Sequence, residues 1–121
     1  MQKYFNVSLE FDHKELRNII NKTISNKVKG YVCVVDGNVL AHAYKNSYYR
    51  DIINGATANT CDGNSIAMLA GHIYKQKFSA YHGPDIFANY VKQGKYKQYF
   101  IGNTEENHEK LKARFKELNY N

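Results

Sequence analysis

A nearly continuous β-branched run, Tyr-Val-Cys-Val-Val at residues 31–35, constrains the fold of this chain more than any other stretch. A strand that is apolar at successive positions has no polar face to turn to water, so it suits burial on both sides, as in a parallel sheet covered by helices. Helical patterns flank it. Upstream, Asp12 offers an N-cap to "HKELRNIINKTI", where Leu16, Ile19, Ile20 and Ile24 fall on one face. Downstream, Asn38 can cap a segment in which Leu40, Ala43, Tyr44 and Tyr48 keep the helical period, running on through "DIIN" to a turn at Asn54-Gly55. Strand and helix in alternation imply a parallel sheet with helices on its faces. The expected fold is therefore α/β, a Rossmann-like three-layer arrangement with a mostly parallel sheet.

The remaining stretches extend this order. Residues 3–9 alternate well enough for one strand, and a short extended piece leads to a loop that closes on Asp62 and Gly63. The next helix is expected to bury Ile66, Leu69, Ala70 and Ile73. Pro84 suits a first helical turn, and that helix ends near Gly94. "KQYFIG" (97–102) reads as a strand, followed by a helix with Thr104 at its start. No internal repeat or linker interrupts the 121 residues, enough for one ordinary core, so a single domain over 1–121 is expected.

Composition narrows the partners. The formal charge of +6 favours a ligand carrying phosphates or an anionic membrane surface. The two cysteines, Cys33 and Cys61, are too few for a disulfide framework or a zinc site, which points to a reducing cytoplasm. His13 and His108 are scattered too far apart to suggest a metal site. No stretch approaches the roughly 18 apolar residues of a membrane span, and the N-terminus lacks the apolar centre of a signal peptide.

Ligands of open α/β sheets gather beyond the carboxyl ends of the strands. Three turns lie there, "DGN" at 36–38, "CDGN" at 61–64 and "GNT" at 102–104. Each joins a strand or extended piece to a helix start, where free N–H groups favour an anion. Asp62 reads either as an ordinary acid of a helix start or as a catalytic carboxylate. Asn64 and Ser65 read as caps or as ligand contacts. His42 and His72 lie within amphipathic helices, whereas His82, on a loop beside "GPD", is placed to meet phosphate. Cys61 makes a poor nucleophile because a neighbouring carboxylate disfavours the thiolate.

Taken in order, these motifs resemble the WecG/TagA/CpsF family, bacterial transferases that build cell-surface polysaccharides and wall-linkage units from UDP-sugars. "VCVVDGNVLAHAYKNSYYRDIIN" matches its buried strand and turn, and "CDGNSIAMLAG" matches its Asp-Gly before a small-residue helix. "HGPDIFANYV" matches its Gly-x-Asp turn, and "YFIGNTEENHEKLKARFKEL" its strand, glycine turn and helix. The resemblance implies an inverting transfer of an N-acetylhexosamine-type sugar from a UDP donor to a lipid-diphosphate-linked sugar, with no metal or cofactor and no nucleic-acid partner. It implies a cytoplasmic protein, peripheral at the inner face of the membrane, with a homo-oligomer as one expected assembly. Asp62 falls on the family's proposed catalytic base. Asp36, Asn38, Gly63, Asn64, His82, Gly83, Asp85, Gly102 and Asn103 fall on its substrate-binding turns.

One base suffices for such a transfer, since a departing diphosphate needs little protonation. Two positions depart from the family pattern. Asp36 stands where it usually carries Thr, and Ala80 where it carries Arg. The family's later strands and basic C-terminal segment have no counterpart before residue 121, so a truncated member, or one whose pocket a partner subunit completes, is expected. The competing expectation is a non-catalytic basic α/β module binding nucleic acid or an anionic partner, from the charge and the interleaving of Tyr with Lys.

Overall fold

The N-terminal segment folds as a hairpin and not as one strand. In the computed structural model, which describes residues 1–120, β1 (Gln2–Tyr4) and β2 (Val7–Leu9) pair antiparallel with Tyr4 opposite Val7. Between them Phe5 and Asn6 adopt φ of 53° and 63°. Two successive left-handed residues make the turn whose twist matches paired strands. Phe-Asn carries no glycine to signal it.

The chain divides into two compact units, Met1–Gly83 and Pro84–Asn121. In the first, the hairpin is followed by α1 (His13–Ser25), β3 (Val32–Val35), α2 (Gly37–Lys45), α3 (Ser47–Asn54), β4 (Ala58–Cys61) and α4 (Asn64–Tyr74). β3 and β4 are parallel, registered from Val32 opposite Ala58 to Val35 opposite Cys61, and Glu10 bridges Thr60 from the other edge of β4. The fold is thus α/β, with a parallel pair and flanking helices compatible with an incomplete Rossmann-like architecture. All of β4 is buried. β3, expected to be buried on both sides, leaves Val32 and Val34 exposed on one face while Val35 is fully buried. Among the described residues β3 pairs with β4 alone, so it is an edge strand.

Capping chemistry sets the helix limits. Asp12 caps α1 as expected, accepting from the N–H groups of Lys14 and Glu15. On α1, Leu16 is fully buried, whereas Ile24 at the last turn is exposed. α2 is capped by Asp36, whose carboxylate accepts from Val39 N–H at 2.9 Å, and not by Asn38, which lies exposed inside the first turn. The expected single helix through residue 54 is two helices, because Asn46 turns extended and its side chain accepts from Tyr49 N–H at 3.0 Å, restarting the ladder. Tyr44 and Tyr48 consequently face solvent, and Ala43 and Ile53 carry the burial.

α4 buries Ala70 as expected and packs Ile66 half-buried against the core, but the rest of its inward face differs. Ala67 and Ala70 are buried, while Leu69 and Ile73 are exposed. The small side chains let the helix lie close to the core, which turns the bulky ones outward. That core joins Tyr4, Val7, Leu9, Phe11, Val35 and Cys61 with these alanines. Tyr4 meets Phe11, Tyr74 and Phe78 edge-on with ring centres 4.9–5.2 Å apart, which ties the hairpin to the end of α4.

The second unit holds α5 (Gly83–Gln93) from Pro84 onward and α6 (Glu105–Glu117), joined by residues 94–104. The expected strand at 97–102 is absent. Tyr99 and Ile101 are 88% and 91% exposed, and among the described residues of this unit no strand lies alongside to pair with them. Thr104 caps α6 by accepting from Asn107 N–H, as expected. Phe87, Phe100 and Phe115 form a ring cluster with centres 5.4–6.2 Å apart. Among the described residues no helix is long and apolar enough to cross a membrane.

Candidate active site

Asp36 and Asp62 leave the carboxyl ends of two neighbouring parallel strands. The N–H of Asp62 donates to the carbonyl of Val35 at 2.8 Å, so the loop after β4 is joined to the end of β3. The two acids differ in what they hold. Asp36 is engaged with the first turn of α2, whereas Asp62 caps nothing on α4, where Gly63 is the N-cap and no side chain supplies a cap bond. Asp62 therefore makes no cap bond to the helix that follows it.

Its carboxylate turns instead to a loop 20 residues away. Oδ1 accepts from the N–H of Gly83 at 3.1 Å and lies 3.2 Å from Nδ1 of His82, and the same Nδ1 is 2.8 Å from the main-chain oxygen of Asp62. Among the described residues Oδ2 meets no donor. The side chains of His82 and Asp62 are 37% and 31% exposed, enough to be reached by a ligand.

What brings His82 to this place is the way its loop continues the pairing of β4. Tyr81 N–H donates to the carbonyl of Cys61 at 2.8 Å, and the buried hydroxyl of Thr60 donates to the carbonyl of Tyr81 at 2.7 Å. The Tyr81 ring stacks on His13 with centres 4.3 Å apart, and Arg17 donates to its hydroxyl at 3.2 Å. Thr60 and Tyr81 thus position the candidate pair, and sequence reasoning missed both roles. A threonine in a short strand and a tyrosine in a loop carry no spacing signal that would reveal them.

Of the expected site residues, Asp62, His82 and Gly83 are in contact, with Gly63 adjacent and Asp36 at the end of the neighbouring strand. Asn38 and Asn64 lie exposed in the first turns of α2 and α4. Asp85, Gly102 and Asn103 belong to the second unit. There Asp85 is exposed in the first turn of α5, and Gly102 and Asn103 form a turn with φ of 103° and 68°. The Asn103 carboxamide oxygen accepts from Thr104 N–H and from the Asn107 side chain, an arrangement internal to that turn.

Burial, with the adjacent Asp62 charge adding to it, holds the Cys61 thiol above its usual range, so it stays protonated and unreactive. Among the described residues no group of three or more His, Cys, Asp or Glu could hold a metal ion. A concavity of about 560 Å³ in the first unit is lined by Ala67, Met68, Gly71, His72 and Lys75 and does not include Asp62. The pair stands in the open, at the carboxyl end of the sheet, as a group able to take a proton from a hydroxyl.

The chain matches the model of the "Glycosyl transferase WecG/TagA/CpsF family" over residues 3–120. Neither the curated proteins nor the solved structures contain a match to it. The family match runs through both units and takes in the Asp-Gly of 62–63 and the loop that meets it: the chain belongs to the WecG/TagA/CpsF family of glycosyltransferases.

Proposed function

We propose that this glycosyltransferase moves an N-acetylhexosamine-type sugar, with inversion, from a UDP donor to a lipid-diphosphate-linked sugar. The general base is the group formed by Asp62 and its hydrogen-bonded His82. In this reading an acceptor hydroxyl gives up its proton as its oxygen bonds to the anomeric carbon. The bond to the diphosphate breaks on the opposite face, and UDP departs with the electron pair. A positioned base contributes of order 10²–10⁴ in rate to such a step.

The observation that carries the reading is the engagement of Asp62. An acid at the end of a buried parallel strand, making no cap bond to its own helix and held by Gly83 N–H and His82, supports a role as a base. The family's part in surface polysaccharide and wall polymer synthesis supplies the reaction class. The formal charge of +6 suits work beside anionic lipid at the cytoplasmic face of the membrane, where such an acceptor is held. The reading as a basic nucleic-acid module is weaker, since Lys110, Lys112 and Arg114 on α6 each pair with a glutamate of the same helix.

The test is UDP release from UDP-N-acetylhexosamines in the presence of a lipid-diphosphate acceptor analogue. Release by the purified chain, reduced at least about 10²-fold by Asp62→Asn, is the expected outcome. Equal release by the wild type and Asp62→Asn would remove Asp62 from the chemistry.

A further inference from the structure

Resting on the reading of the site as a sugar-transfer centre, we infer that the atom taking the acceptor's proton is Nε2 of His82, and that Asp62 acts through the imidazole as a positioning residue. Nδ1 of His82 faces two oxygens of Asp62, the main-chain carbonyl at 2.8 Å and Oδ1 at 3.2 Å. A carbonyl oxygen and an ionised carboxylate only accept, so Nδ1 carries the proton. The lone pair of the neutral ring is therefore on Nε2, which has no hydrogen-bond partner among the described residues. Main-chain N–H groups on either side hold the ring in this direction, Tyr81 donating to the Cys61 carbonyl and Gly83 to Asp62 Oδ1.

The charge balance favours the imidazole over the carboxylate. A proton on Asp62 would neutralise the acid that orients His82. A proton on Nε2 creates an imidazolium beside an intact carboxylate, the stabilisation that an aspartate gives the histidine of a catalytic triad. The surrounding ionisable groups are otherwise occupied. Asp36 accepts from Val39 N–H, Cys61 is held as a thiol, His13 stacks on the Tyr81 ring and Arg17 donates to the Tyr81 hydroxyl. Asp62 is thus the charged group in contact with the ring.

The step balances without a further reactant. The acceptor O–H bond breaks and its proton passes to Nε2, while the oxygen bonds to the anomeric carbon. The carbon–oxygen bond to UDP breaks, and the pair leaves with the diphosphate. Imidazolium then returns its proton to water, and Asp62 stays ionised throughout.

The experiment is the pH profile of kcat/KM for UDP release by the whole chain and by His82→Asn, with UDP-sugar binding measured by calorimetry on both. Asparagine sets an amide N–H where Nδ1 stood but offers no basic atom in place of Nε2. The inference expects the wild-type rate to fall on acidification and His82→Asn to lose that dependence on pH. It expects His82→Asn to lose about 10²-fold or more with UDP-sugar binding retained. Activity of His82→Asn within about fivefold of wild type would overturn it, as would an acid-side fall in His82→Asn that runs parallel to that of the wild type, and either would return the proton to Asp62. Wild-type protein that neither releases UDP nor binds a UDP-sugar would overturn the sugar-transfer reading, and this inference with it. Should His82→Asn fail to fold, His82→Gln, which also lacks a basic atom, decides the matter in the same assays.

Discussion

Ala58–Cys61 is a strand and residues 97–101 are not, although the second stretch carries the stronger β-formers. "ANTC" holds a helix former and an asparagine, whereas "KQYFI" holds Tyr, Phe and Ile. The difference lies in their surroundings. β4 has β3 on one edge and Glu10 on the other, and all four residues are buried, with Asn59 and Thr60 making side-chain hydrogen bonds. In the second unit Tyr99 and Ile101 project into solvent, with no strand beside them among the described residues of that unit. Strand formation in this chain follows the availability of partners and not the propensity of the segment. The candidate site inherits that dependence, because Asp62 leaves the end of β4.

The comparison would break if the second unit proved as tightly determined as the first. The largest effect expected is from Leu16→Ala, which empties a fully buried position packed within the first unit. It should lower stability by about 2–5 kcal/mol, whereas Ile101→Ala should stay within about 0.5 kcal/mol of the wild type. Urea denaturation of the two variants measures both. A cost for Ile101→Ala equal to that of Leu16→Ala would mean that residues 97–101 are buried in solution.

A sharper form of the test lies within β4 itself. Asn59 is fully buried, and its amide donates to the carbonyls of Ser8 and Ile53, each at 2.9 Å, so one side chain joins the hairpin, α3 and the parallel pair. Asn59→Ala leaves two carbonyls without this donor and should destabilise by about 1–3 kcal/mol. If β4 were held by backbone pairing alone, the loss seen in denaturation would be close to nothing.

Local chemistry was legible in the sequence wherever it decides structure by itself. Asp12 and Thr104 cap the helices that follow them, and the alternation of strand and helix predicts the parallel pair. The expectations that failed each depended on something distant or on a competing side chain. Asn46 breaks a helix whose period runs on unbroken, and the left-handed pair Phe5-Asn6 splits a strand whose alternation is sound. The exposed face of α4 follows from alanines approaching the core, which apolar periodicity does not distinguish from burial of leucine and isoleucine. The position of Asp62 after an extended piece was readable. Its contact with His82 was not, because Thr60 and Tyr81 create it by folding a loop back along the strand.

The smallest effect expected concerns the second edge of β4, where Glu10 donates its N–H to Asn59 and bridges Thr60. Burial, reinforced by the nearby Asp12 and Glu15 charges, holds the Glu10 carboxyl above its ordinary value. A carboxyl raised in the folded state keeps its proton there at a pH where the unfolded chain has lost it. The folded state therefore binds more protons in that window, and stability declines as pH rises through it. Glu10→Gln removes the ionisation, so it should raise the melting midpoint at pH 7 by less than the ~4 °C that 1 kcal/mol gives a domain of this size. The gain should disappear below about pH 4, where the wild-type side chain is protonated in both states. Glu106→Gln in the second unit, at an exposed ion pair with Lys110, should give no such gain at pH 7. Equal gains from both substitutions would mean that overall charge, and not the partnered edge of β4, sets the response.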